Sequence, residues 1–344
     1  MKRMHGGVGL RLLLGLVLFA VIAAAGIAWH GYSSFVHAPL AIHRQGQTLV
    51  VPRGTSFQKI VAMLHARKLT AAPDLFWRAL AMRMRVVDSL DAGEYALTPG
   101  MTPPQLLQHL AAGKVLQHDF TLVDGWTFKE VRAALAATPD LIHDSAGLSA
   151  AQIMQRVGAK GKKPEGWFLP ETYAYVKGDT DMDVLRRAYD AMQKVLDKQW
   201  QQRDKNVPLT SPYQALILAS IVEKETARAE ERPRIAGVFV RRLKLGMPLQ
   251  TDPTIIYGLG DNYHGDITWK DLRTDTPYNT YLHKGLPPTP IAMPGKPAIH
   301  AALHPAKGDA LYFVARGDGS GRHVFSDTLA EHNRAVRCYQ LKRC

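Results

Sequence analysis

From Leu12 to Trp29 the chain reads LLLGLVLFAVIAAAGIAW, an uncharged apolar run that limits the possible folds more than any other feature. As a helix it would be about 27 Å long, enough to cross the hydrocarbon core of a bilayer. Lys2, Arg3 and Arg11 precede it, which places residues 1–11 in the cytoplasm, 12–29 in the membrane and the rest on the far side. Ala23 to Ala25 would suit a signal-peptide cleavage site, but the run is longer than a signal core and ends on an interfacial tryptophan, so a retained anchor is expected. Of the 344 residues, most are left to fold outside the membrane, enough for roughly two domains.

The net charge of +13 is scattered along the chain. No zinc-finger spacing or aromatic RNA-binding motif accompanies it, so nucleic acid is excluded as a partner and an anionic envelope polymer fits better. Cys338 and Cys344 are the only cysteines, and a bridge between them so near the end would stabilise little. His300 and His304 lack further ligands, so no metal site is expected.

After a stalk over residues 30–45, three segments align without gaps: VVPRGTSFQKIVAML, ALTPGMTPPQLLQHL and TLVDGWTFKEVRAAL. Each has a glycine (Gly54, Gly100, Gly125) and, two residues on, a hydroxyl (Ser56, Thr102, Thr127). An aliphatic residue then follows (Ile60, Leu106, Val131), and after it a leucine (Leu64, Leu110, Leu135). This pattern predicts strand, glycine turn, capped helix start and amphipathic helix, with capping boxes completed by Gln105 and Glu130.

The densest chemical signals lie between Ser211 and Gly260. Ser211, Pro212 and Gln214 predict a helix start, and Leu216 to Val222 make the helix apolar. Glu223 and Glu225 follow two positions apart, so they point in nearly opposite directions. Glu225 continues the stripe of Leu218, Ile221 and Val222, whereas Glu223 stacks over Ala219 and Ser220. A carboxyl at the end of a buried stripe keeps its proton near neutral pH, as a general acid requires. The alternative is an ion pair of Glu225 with Arg228, Arg232 or Arg234. Pro233 to Gly246 predicts a second helix, and Gln250-Thr251-Asp252 a polar loop able to face Glu225. Asp252 and Glu171 remain open as second acids.

IVEKET, RLKLGMPLQTDPTIIYG, TPYNTY and GLPPTPIAMPG, in this order, resemble the endolytic murein transglycosylases, the YceG-like or MltG family. The likeness runs from the apolar segment nearly to the C-terminus. It implies that Glu225, the second acid of an ExE motif, is catalytic, and that the first repeat is LysM-like. Glu165 to Tyr173 is similar to the family's EGWFxPxTY segment, in which Trp167 would either stack on a sugar ring or belong to the core. Trp167, Glu171, Gln250, Thr251, Asp252, Tyr278 and Asn279 are therefore the substrate-contact candidates, with turn formation the alternative for the last two.

The resemblance implies cleavage of the bond between N-acetylmuramic acid and N-acetylglucosamine without a cofactor, by an inner-membrane protein facing the periplasm near the cell-wall synthases. The sugar's own 6-hydroxyl attacks, so a second carboxyl is dispensable. An older label for the family, aminodeoxychorismate lyase, would need cytoplasmic pyridoxal phosphate, against the expected topology. The expected fold is α+β, with a LysM-like α/β subdomain over residues 46–115, a connecting region over 116–165 and a catalytic domain over 166–344. A lysozyme-type hydrolase and a non-catalytic, tethered glycan-binding protein are the alternatives.

Overall fold

The computed structural model describes residues 6–52, 54–87 and 90–344; Lys2 and Arg3 lie outside them. Among the described residues are twelve α-helices and three two-stranded sheets, a mixed α+β architecture. Two compact units result: the chain up to His118 with Val176–Gly178, and Asp119–Tyr175 with Asp179–Cys344.

The first unit contains α1 (Gly6–His37), β1 (Gln47–Val51), α2 (Phe57–Ala66), α3 (Asp74–Met84), β2 (Gly93–Leu97) and α4 (Pro103–Ala111). The part of α1 from Arg11 is long and apolar enough to cross a membrane. The helix does not stop at Trp29, so the first half of the expected irregular stalk is helical. Its last turns gain packing partners: Tyr32 sits edge-on to Phe76 at 5.8 Å, and Phe35 to Trp77 at 5.0 Å. β1 and β2 pair antiparallel, Gln47 opposite Leu97 and Val51 opposite Gly93.

The second unit takes in most of β3 (Gln117–Thr121), then α5 (Phe128–Ala136), α6 (Ala150–Arg156), β4 (Thr172–Val176), α7 (Asp181–Gln201), α8 (Pro212–Glu225), α9 (Arg232–Lys244), α10 (Asp252–Leu259), α11 (Lys296–Leu303), β5 (Tyr312–Ala315), β6 (His323–Ser326) and α12 (Leu329–Tyr339). β3 pairs with β4, and β5 forms an antiparallel hairpin with β6.

All three repeat copies form the expected unit: β1 leads into α2, β2 into α4 and β3 into α5. Gly54, Gly100 and Gly125 have φ of 75°, 86° and 81°, a left-handed turn that a side chain would strain. Gln105 accepts from the Thr102 N–H at 2.9 Å and Glu130 from the Thr127 N–H at 2.7 Å, closing both boxes. Leu122, Val131 and Leu135 of the third copy belong to the second unit's core.

α8 is the axis of that core, with every residue from Ala215 to Glu223 buried among α7, α9, α10 and α11. Its mid-helix hydroxyl, Ser220, donates to the Ile217 carbonyl and accepts from the Ile291 N–H, so it is satisfied. At the start of α8 the Ser211 hydroxyl accepts from the Gln214 N–H at 3.3 Å, and the Gln214 side chain accepts from the Thr210 N–H at 2.8 Å. Cys338 and Cys344 form a disulfide beyond the end of the core.

Candidate active site

The last turn of α8 sends its two acids to different places. Glu223 is buried, pairs with Arg232 at 2.8 Å and accepts from the Gly295 N–H at 2.9 Å. Burial raises its pKa although both partners oppose the rise. The arginine expected as an alternative partner for Glu225 thus belongs to Glu223. Arg228 donates to the Ser320 carbonyl, and Arg234 lies over the Phe325 ring at 3.9 Å. Among the described residues, none of the three pairs with Glu225.

Glu225 accepts a hydrogen bond from the Thr251 hydroxyl. Desolvation by the surrounding protein is the largest influence on its carboxyl; it prevails over that bond and, with Asp252 adding to it, lifts the pKa to about 7. Thr251 is 1% exposed and is the residue just before α10, its hydroxyl turned to Glu225 instead of capping that helix. Its N–H donates to the Thr280 hydroxyl at 3.1 Å, and the Gln250 N–H to the Thr280 carbonyl at 3.1 Å. Gln250 itself is in the left-handed region, φ 52°. The loop is therefore latched to residue 280, which fixes the Thr251 hydroxyl on Glu225.

A cavity of about 520 Å³ opens beside the carboxyl, lined by Glu225, Gln250 and Asp252, by Arg242 and Tyr281, and by Tyr312, His332 and Asn333 from the C-terminal elements. The Tyr281 hydroxyl donates to Asp252 at 2.5 Å. Such a site can offer a proton from a neutral carboxyl and take it back, with a second carboxylate and polar side chains around a ring-sized space.

The structure brings Glu225, Gln250, Thr251 and Asp252 together, while the other four candidates lie elsewhere. Trp167 is 6% exposed, stacked on Tyr213 at 5.6 Å, and edges a different cavity of about 630 Å³. Glu171 is exposed and pairs with Lys296. Tyr278 bonds Thr289 at 2.8 Å and packs edge-on to Tyr257 at 4.9 Å. Asn279 is 1% exposed; its amide donates to the carbonyls of Leu272 and Thr274 and accepts from the Tyr281 N–H. It shapes the turn that aims Tyr281 at Asp252.

Sequence reasoning missed Arg242, Tyr281 and the C-terminal wall. Both lay within the family-like motifs, Tyr281 closing TPYNTY and Arg242 opening RLKLGMPLQTDPTIIYG, but no local pattern showed that their side chains would reach the same cavity as Glu225. A second buried acid was also missed. Glu165 accepts from the Phe128 N–H and the Tyr257 hydroxyl, both at 2.9 Å, and burial lifts its pKa to about 7 against those bonds.

Residues 49–338 match the model of the YceG-like family. The chain is 31% identical to the endolytic murein transglycosylase of Bacillus subtilis (strain 168), over 84% of this chain and 83% of that one. It is 28% identical to the protein of the same name from Streptococcus pneumoniae serotype 2, over 93% of this chain and 63% of the pneumococcal protein. A crystal structure of a YceG-like protein from Listeria monocytogenes aligns with a TM-score of 0.51 at 30% identity, over 85% of this chain and 99% of that one.

Proposed function

The chain belongs to the YceG-like family, and on that premise we propose that it is an endolytic murein transglycosylase with Glu225 as its catalytic acid and base. Glu225 donates its proton to the oxygen linking N-acetylmuramic acid to N-acetylglucosamine, and the bond to the muramic anomeric carbon breaks. The carboxylate so formed takes the proton from the muramic 6-hydroxyl, whose oxygen attacks that carbon and closes a 1,6-anhydro ring. Water is not consumed and the acid is regenerated. The attacking group is already on the sugar, so its effective concentration is high and no second acid is needed to hold water.

One observation carries the reading: a carboxyl with a pKa of about 7, paired with no cation among the described residues and held by Thr251 beside a sugar-sized cavity. Gln250, Thr251 and Asp252 act at that cavity, and Asn279 supports it through the turn that carries Tyr281 to Asp252. α1 anchors the protein in the inner membrane, residues 46–115 serve as the LysM-like module, and residues 166–344 cut nascent strands in the periplasm beside the wall synthases.

Asp252 favours a second reading, a hydrolase with two carboxyls, because it lines the same cavity and adds to the raised pKa of Glu225. Mass spectrometry of digested sacculi separates the possibilities: anhydro ends for the transglycosylase, reducing ends for the hydrolase, no new ends for a binding protein. Glu225→Gln is expected to abolish cleavage, and an active variant would overturn the assignment.

A further inference from the structure

We propose that Arg242 binds the acyl oxygen of the lactyl ether carried by the muramic sugar, and thereby sets the register of the glycan beside Glu225. This inference rests on the glycan-cleaving reading above. Arg242 is 7% exposed, on the buried face of α9. A guanidinium stays charged at any working pH, so burying one costs heavily unless an anion meets it. Among the described residues no carboxylate stands within ion-pair distance.

Neutral oxygens hold it instead. Nε donates to the Leu311 carbonyl at 2.7 Å, and Nη1 to the carbonyls of Leu249 at 2.8 Å and Pro248 at 3.2 Å and to Gln250 Oε1 at 3.3 Å. Among the described residues, Nη2 makes no hydrogen bond. These dipoles fix the plane of the group without cancelling its charge. The residue lines the same cavity of about 520 Å³ as Glu225.

Asp252 lines the same cavity, where its carboxylate accepts from the Tyr281 hydroxyl at 2.5 Å rather than pairing with Arg242. Tyr312 places its ring 5.0 Å from the guanidinium, and His332 stacks on Tyr312 at 5.2 Å. Burial, and then Arg242 itself, lowers the His332 pKa, which keeps that imidazole neutral at neutral pH. The cavity therefore has a proton donor in Glu225 and a fixed, unneutralised cation in Arg242. Alternating murein sugars differ by one substituent, the lactyl ether at C3, and its acyl oxygen is an acceptor that only the muramic unit offers. It is a carboxylate where the stem peptide is missing and an amide carbonyl where the stem is present, and Nη2 suits both. Seating that oxygen on Arg242 places the muramic unit, and so the bond to be cut, within the cavity.

The test measures binding to the full chain in detergent, in the Glu225→Gln background so that no strand is cut. Three saccharides of equal length serve as probes: one with free lactyl carboxylates, one with lactyl amides, and an N-acetylglucosamine oligomer. Affinity is expected to fall in that order, with the carboxylate at least about tenfold tighter than the oligomer, the scale of one charge-assisted hydrogen bond. Adding Arg242→Gln should bring all three within about threefold of one another and leave the oligomer's affinity nearly unchanged. Arg242→Lys should keep the carboxylate preference. Should the Gln variant not fold, the Lys variant and added salt give the answer, because salt must weaken the carboxylate arm most. Equal binding of all three probes before Arg242 is changed, or an equal loss for all three in Arg242→Gln, overturns the proposal. Absence of anhydro ends from sacculi cut by the unmodified protein would instead overturn the activity.

Discussion

Replacing Glu225 with glutamine should stabilise the protein at alkaline pH while destroying its chemistry. The carboxyl has a pKa of about 7 in the fold against 4.5 as its ordinary value, so folding raises it by about 2.5 pH units. A raised carboxyl pKa means that the folded state holds its proton where the unfolded chain has released it. Stability is therefore greatest below pH 4.5, declines through the window from 4.5 to 7, and is level above it. Each unit is worth 1.36 kcal/mol, so the full loss is about 3 kcal/mol, and at pH 5 less than about 1 kcal/mol of it has been incurred. Glutamine never ionises, and its side-chain oxygen can still accept from Thr251. Urea unfolding of the full chain in detergent at pH 5 and pH 8 should show the variant ahead by about 2 to 3 kcal/mol more at pH 8 than at pH 5. The wild-type profile also contains Glu165, whose pKa is likewise about 7, but the difference between the two proteins cancels it. An advantage that does not change between the two pH values would refute the desolvated acid, and with it the proton donor.

On the proposed mechanism the same carboxyl governs the rate, so kcat/KM for release of anhydro ends should decline above about pH 7 as the proton is lost, and Thr251→Val, which removes the bond opposing the rise, should move that limb to higher pH. Arg232→Ala leaves Glu223 buried with one N–H partner and should cost about 3–5 kcal/mol in chemical denaturation, whereas the refolded fraction should still cut murein. Trp167→Ala should cost about 3–5 kcal/mol by the same measurement, since its ring is enclosed and stacked on Tyr213. Gly166→Ala should also destabilise: φ is 82°, and a Cβ would stand 2.6 Å from Pro290.

Features encoded within about ten residues were legible in the sequence. The three glycine turns with their hydroxyl caps lead into helices at the expected places, because turn conformation and capping are decided by neighbours along the chain. Partners chosen by tertiary packing were not. The extension of α1 past Trp29 depends on Phe76 and Trp77, and the burial of Trp167 on Tyr213, none of which the local pattern contains.

The two acids of α8 show where that boundary lies. Helical geometry alone separates Glu223 from Glu225 by about 200°, so one acid could join the apolar stripe only if the other left it. Which of them an arginine would neutralise depended on the return path of the chain. The start of α9 carries Arg232 to Glu223, and the start of α10 brings a threonine to Glu225. A cation on Glu225 would have favoured its ionised form and removed the proton that the proposed mechanism uses; a neutral hydroxyl leaves burial in control. What the proposed chemistry requires is that no positive charge reaches Glu225, and moving one across the helix is the sharpest perturbation available. A lysine at Thr251 should lower the Glu225 pKa, stabilise the protein at pH 8 relative to pH 5, and abolish cleavage near neutral pH even though the carboxyl is still there. Full activity at pH 7 in that variant would show that the reaction does not depend on a protonated Glu225.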